Sequence, residues 1–178
     1  MAALRSDAAR SRARILEAAH GCERADLRLN EVARRAGVGV GTVYRHFPTV
    51  EALTAALAEG AVRRLGALAR AAAAEDDPAR GLDVLLRGAL ELQLEDAGLQ
   101  AVLLADASAI PDVAALRAQA LEDAEQVFAR ARAAGVVRPE VTLSGLQRLV
   151  CGIEHAVRLS GGRDRDLFVE VLLAGLRA

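Results

Sequence analysis

The chain has 178 residues, 53% of them hydrophobic but only 2% aromatic, so it can bury a core that Ala, Leu and Val must build. Its net charge of -1 hides an asymmetry: residues 1–50 hold nine arginines against five acids, and residues 51–178 hold fourteen against nineteen. These figures exclude a disordered chain, a disulfide scaffold, which two cysteines cannot make, and a membrane protein, since no run is long and uncharged enough to span a bilayer.

The N-terminus, "MAALRSDAARSRARILEAA", is charged and lacks the apolar centre of a signal peptide. The chain is therefore expected to be cytoplasmic, with Cys22 and Cys151 in a reducing compartment. Arginines 5, 10, 12 and 14 suit either a solvated helix face or contacts to phosphates; together they fit the counterion-release pattern of a DNA binder. His20 and Cys22, two apart, point to different sides of a helix. Three scattered His and two Cys make no metal set, and no nucleophile–base pair is legible. Neither a catalytic site nor a cofactor is expected.

Leu29, Val32, Ala33 and Ala36 are spaced like one face of a short helix, and "GVGVG" follows at 37–41. A phosphate-binding loop would need a preceding strand and a Gly-Lys-Ser/Thr ending, and both are missing. A helix–turn–helix fits instead, with Gly37 as a left-handed C-cap and Val38 plugging the angle between the helices. The second helix is expected from about Val40 to Phe47. Val43 and Phe47, four apart, would face inward, leaving Thr42, Tyr44, Arg45 and His46 outward. No acid lies between Val32 and Val50, which suits contacts to phosphates and base edges.

Further on, Leu53, Leu57, Ala61, Leu65 and Leu68 form one stripe of a long helix. Val113, Leu116, Ala120, Ala124, Val127 and Ala131 repeat the pattern, as do Leu143, Leu146, Val150, Ile153 and Val157. Breakers fall at "EDDP" (75–78), "EDAG" (95–98), "IPD" (110–112), "AGVVRPEVT" (134–142) and "SGGRD" (160–164). The expectation is an all-α protein of about nine helices.

The segment "LNEVARRAGVGVGTVYRHFPTVEAL" resembles the DNA-binding signature of TetR-family transcriptional regulators. The likeness is close over about residues 10–57. It implies a three-helix DNA-binding head (1–48) and a helical effector-binding and dimerisation body (49–178). It also implies that Thr42, Tyr44 and His46 contact DNA, that Val40, Gly41 and Arg45 approach base edges, and that Asn30 lies near the DNA backbone. The implied partners are double-stranded DNA, a small-molecule effector and a second copy of the chain. The implied role is a repressor released from a pseudo-palindromic operator. Departures from the family pattern are Arg28 at an N-cap where Ser or Thr is usual, Val40 and Val50 where basic residues are usual, and a short "HGCERADLR" connection. They keep open an alternative, a helical interaction protein with a weakened DNA-binding head.

The last two helices, about 142–159 and 164–177, are apolar on more than one face. With Gly145, Gly152 and Gly175 allowing close approach, they suit a four-helix dimer interface. Gln93, Gln126, Gln147, Cys151 and His155 are uncharged polar or soft residues in apolar surroundings. They are candidates to line an effector pocket, or else hydrogen-bonded core groups.

Overall fold

The computed structural model describes residues 2–20 and 27–177, with side chains from residue 7 onward. Nine α-helices and no strand occur among these residues. They are α1 (Ala2–His20), α2 (Leu29–Ala36), α3 (Val40–His46), α4 (Val50–Ala73), α5 (Pro78–Glu95), α6 (Ala97–Leu104), α7 (Pro111–Ala133), α8 (Leu143–Leu159) and α9 (Arg165–Leu176). A short 3-10 turn, Ala107–Ala109, leads into α7.

The breakers in the sequence act as caps. The side chain of Asp77 accepts from the Ala79 N–H at 2.9 Å, and Pro78 occupies the first turn, where its missing N–H is harmless. Asp96 caps α6 through Gly98, and Thr142 caps α8 through Gly145, at 2.9 and 3.0 Å. Thr49 accepts from Ala52 at 3.1 Å and so starts α4 immediately behind α3. Helix α2 differs. Its N-cap is Arg28, extended at φ -124°, with no side-chain cap bond. That backbone suits Ser, so Arg28→Ser should stabilise the protein by about 1 kcal/mol. Urea denaturation with an unchanged m-value checks it; an unchanged midpoint would show that the end of α2 is satisfied in another way.

The core is layered along α4. Leu53, Ala56 and Leu57 join Ile15, Val32, Val43 and Phe47 in the core of the first three helices. Residues only slightly further on, Ala58, Ala61, Val62 and Leu65, pack with Leu99, Val102 and Ile110. One continuous helix therefore belongs to both cores, and its most extensive partner is α7. A third cluster joins Leu86 and Leu90 of α5 to Phe128, Leu146, Val150 and Leu172.

The chain achieves this with small side chains. A Cβ on Gly81 would lie 2.7 Å from the Ala72 carbonyl oxygen, and one on Gly88 would lie 2.6 Å from a Leu68 methyl. Close approach within the chain thus depends on α5 glycines. Gly152 and Gly175, expected to mediate helix contact, face open space on the α8–α9 surface.

Among the described residues two charged side chains are buried, each with a partner. Asp123 accepts from Arg70 at 2.7 Å and from Gln119 at 3.1 Å. Glu154 accepts from Arg158, whose Nη2 also donates at 3.0 Å to the Gln93 and Leu94 carbonyls at the end of α5. No helix among the described residues is long and apolar enough to cross a membrane, and no cluster of His, Cys, Asp or Glu among them is placed to hold a metal ion.

Candidate nucleic-acid interface and body cavity

Helix α2 ends in a left-handed turn. Gly37 has φ +61°, its N–H bonds to the Arg34 carbonyl at 3.2 Å, and the Val38 N–H reaches back to Ala33 at 3.1 Å. These two bonds satisfy carbonyls that a helix end would otherwise leave open, and they need a residue that tolerates positive φ. Arg14 completes the turn from α1. Its Nη2 donates to the Ala36 oxygen at 2.6 Å and to the Gly37 oxygen at 3.2 Å. Arg14 thus fixes the turn through one of its nitrogens while the residue itself stays exposed.

The turn aims α3. Val43 and Phe47 are fully buried, and the Phe47 N–H closes the helix on Val43 at 2.7 Å. Phe47 is the capping residue rather than the last helical one. The opposite face carries Val40, Gly41, Tyr44 and Arg45, all exposed, with Thr42 and His46 half-buried at its edges. Tyr44 is 48% exposed although it neighbours the buried Val43, so its ring is presented to solvent. Arg45 lies folded along its own helix, Nε donating to the Gly41 carbonyl at 3.0 Å and Nη2 to Thr42 Oγ1 at 3.4 Å. Reaching a base requires only that these two solvent-exposed bonds open. Asn30 is exposed on α2.

The charge around this face is partly internal. Glu31 accepts from Arg34 and Arg35, and those bonds lower its pKa to about 2. It stays ionised at any pH at which DNA is bound and offsets part of the positive charge of both arginines. Arg10 pairs with Asp7. Arg12 stacks 5.3 Å from the Phe47 ring centroid and reaches Asp112, at the start of α7, at 4.0 Å. The side chain of Arg5, with Cys22, Asp26 and most of the "HGCERADLR" connection, lies outside the described residues.

In the body, a cavity of about 50 Å³ sits between α4, α5, α6, α7 and α8. Gln93 and Gln147 line it, and Cys151 donates its thiol hydrogen to Gln93 Oε1 at 3.5 Å. Burial pushes the Cys151 pKa up, which keeps the thiol protonated for that bond. Gln126 and His155 are not brought to this cavity: both are exposed, on α7 and α8. Most of the wall is aliphatic, with Leu65, Leu86, Leu121 and Leu146 from four different helices. Sequence reasoning did not single these out, because one Leu in an apolar stripe looks like the next.

Comparison with known proteins agrees with this architecture. The family model described as bacterial regulatory proteins, tetR family, matches residues 12–57. A model described as transcriptional regulator SbtR-like, C-terminal domain, matches residues 77–178. Among solved structures, a TetR transcription regulatory protein from Mycobacterium vanbaalenii is 37% identical, over 98% of this chain and 99% of that one, with a TM-score of 0.50. The TetR transcriptional regulator SCO0520 from Streptomyces coelicolor is 30% identical over 93% and 98%, with a TM-score of 0.53. RolR, solved with resorcinol, shares the fold at 21% identity over 97% and 90%, with a TM-score of 0.60. A search of curated proteins gave no match. From the left-handed turn, the outward face of α3 and matches that extend over both parts of the chain, it follows that the protein belongs to the TetR family of DNA-binding transcriptional regulators.

Proposed function

We propose that the protein is a homodimeric repressor that holds a pseudo-palindromic operator through two copies of α3 and releases it when a small molecule enters the body. The observation that carries the reading is the split of α3, with Val43 and Phe47 buried and Val40, Gly41, Tyr44 and Arg45 on the open face. In this reading residues 1–48 read DNA and residues 49–178 bind effector and dimerise, with α4 shared between them. Thr42, Tyr44 and His46 contact DNA, Val40, Gly41 and Arg45 approach base edges, and Asn30 meets the backbone.

Dimerisation is supported by α8 and α9. Leu149, Leu159, Leu167 and Val171 on these helices are each more than half exposed. Leu149 and Val171 border an open groove of about 560 Å³ between α8 and α9. An apolar surface of this kind suits a two-fold partner presenting the same helices. Light scattering at micromolar concentration should give the mass of two chains, and a monomer with both helices intact would contradict the assembly.

Release follows from α4. A ligand in the cavity touches Leu65, and eight residues earlier the same helix packs against the head through Leu57. An effector that binds one tilt of α4 better than another shifts the spacing of the two heads by linkage. That RolR is solved with resorcinol supports a small-molecule site in this fold.

Arg45 supplies a test of base reading. If it reads a guanine, Arg45→Ala should flatten the preference at one position per half-site by about 1–3 kcal/mol. Titrations against single-base operator variants at fixed salt measure this. A uniform loss across all variants, with a shallower salt dependence, would reduce Arg45 to a phosphate contact.

A further inference from the structure

We propose that the effector is a small, uncharged, mainly aliphatic molecule bearing one hydroxyl-type group, held by the amides of Gln93 and Gln147. The inference rests on the effector reading above and adds the chemistry of the ligand.

Ten of the twelve residues that line the cavity are Leu, Ala or Val, and the other two are these glutamines. No ionised or aromatic side chain borders it. A charged ligand would have to leave water for an aliphatic wall with no counter-charge, which is strongly unfavourable. The buried charges of the body are also committed elsewhere, Asp123 to Arg70 and Glu154 to Arg158.

The two amides carry unused hydrogen-bonding capacity. Gln147 donates from Nε2 to the Leu103 carbonyl at 2.9 Å, so its Oε1 remains as an acceptor. Gln93 is 2% exposed, and its Oε1 takes the Cys151 thiol hydrogen. Among the described residues no acceptor takes the Gln93 Nε2 hydrogens. A buried amide left in that state carries a desolvation penalty that a ligand oxygen would relieve. One neighbour wants an acceptor and the other a donor, and a hydroxyl is both.

Size narrows the class. At about 10–15 Å³ per water-sized group, a cavity of about 50 Å³ takes about three to five non-hydrogen atoms before its walls move.

Isobutanol and isobutylammonium share a carbon skeleton and size and differ in charge, so they make the matched pair of probes, and isobutyrate, one oxygen larger, adds the opposite charge. Ligand-observed NMR titration of the full-length protein, at matched ionic strength, should show saturable binding of isobutanol and binding of either ion at least about tenfold weaker. Gln93→Leu should weaken isobutanol about tenfold, the loss of one buried hydrogen bond. Ala89→Leu, which fills the cavity, should abolish saturation. Thermal melts establish that each variant is folded, and Gln93→Leu decides the matter should Ala89→Leu fail to fold. No saturable isobutanol binding, or an equal affinity for an ion, overturns the proposal. A gel shift run in parallel separates the two claims. Cavity binding of isobutanol with DNA affinity unchanged would sink the effector reading and keep the ligand chemistry. Release of DNA by isobutyrate, through the same cavity, would do the reverse.

Discussion

Phe47→Ala should destabilise the head by about 3–5 kcal/mol, whereas Tyr44→Ala, three residues away, should leave it folded and remove DNA binding. Phe47 is fully buried against Ile15, Val32, Val43 and Leu53, and its N–H closes α3. Truncating it removes the transfer free energy of a whole ring and leaves a cavity that neighbouring helices cannot fill. It also removes the surface on which Arg12 stacks. Tyr44 lies on the opposite face and is 48% exposed, so its loss uncovers far less apolar surface. Circular dichroism melts of both variants, with a DNA titration of Tyr44→Ala, measure the pair. The reverse outcome, with Phe47→Ala stable and Tyr44→Ala unfolded, would place the reading face on the wrong side of α3.

The second large effect is expected far from the DNA. Arg158→Ala should cost about 3–5 kcal/mol, because it leaves the carboxylate of Glu154 buried without its partner. It also removes the two bonds that tie α8 to the end of α5. The charge explanation has its own check. Adding Glu154→Gln to Arg158→Ala should restore much of the loss, since the remaining buried group is then neutral. Urea denaturation of the two single variants and the double variant gives the coupling. If the double variant is no more stable than Arg158→Ala alone, the tie to α5 and not the buried charge is what matters.

Much of this organisation was legible because it rests on local chemistry. Pro78 and Pro111 can occupy only a first helical turn, and each does so. The face of α3 was legible because two large side chains four apart leave a short helix only one way to pack. The rotation of the alanine-rich body helices was not. Alanine suits a buried or an exposed face equally, so the alanine-rich α7 carries weak periodicity, and Gln126 among its alanines says little about direction. Helix α8, by contrast, has a clear apolar face, from which His155 lies off. Gln126 and His155 read as interior and are exposed, while Glu154, charged and next to His155, is buried. The turn contact of Arg14 was not legible for a different reason. Its partners are 22 and 23 residues away, and nothing near it in sequence announces them.

Arg14 and Glu31 also change how the basic head is understood. Arg14 holds a turn, and the ionised Glu31 offsets part of the positive charge of Arg34 and Arg35. The face left for DNA is less charged than the sequence suggests, with Val40 and Tyr44 prominent on it. Discrimination between sequences then depends more on base-edge contacts than on phosphate attraction, and affinity should fall less steeply with salt than in a lysine-rich head.

The central claim is that α3 reads a specific DNA sequence through its exposed face. It is tested most directly by titrating wild-type protein and Tyr44→Ala, at one fixed ionic strength, against DNA flanking the protein's own coding region and against scrambled DNA of the same composition. The account predicts saturable wild-type binding to a pseudo-palindromic site, at least about a thousandfold tighter than to scrambled DNA, and loss of that preference in a folded Tyr44→Ala. Equal binding of both proteins to both DNAs would contradict it.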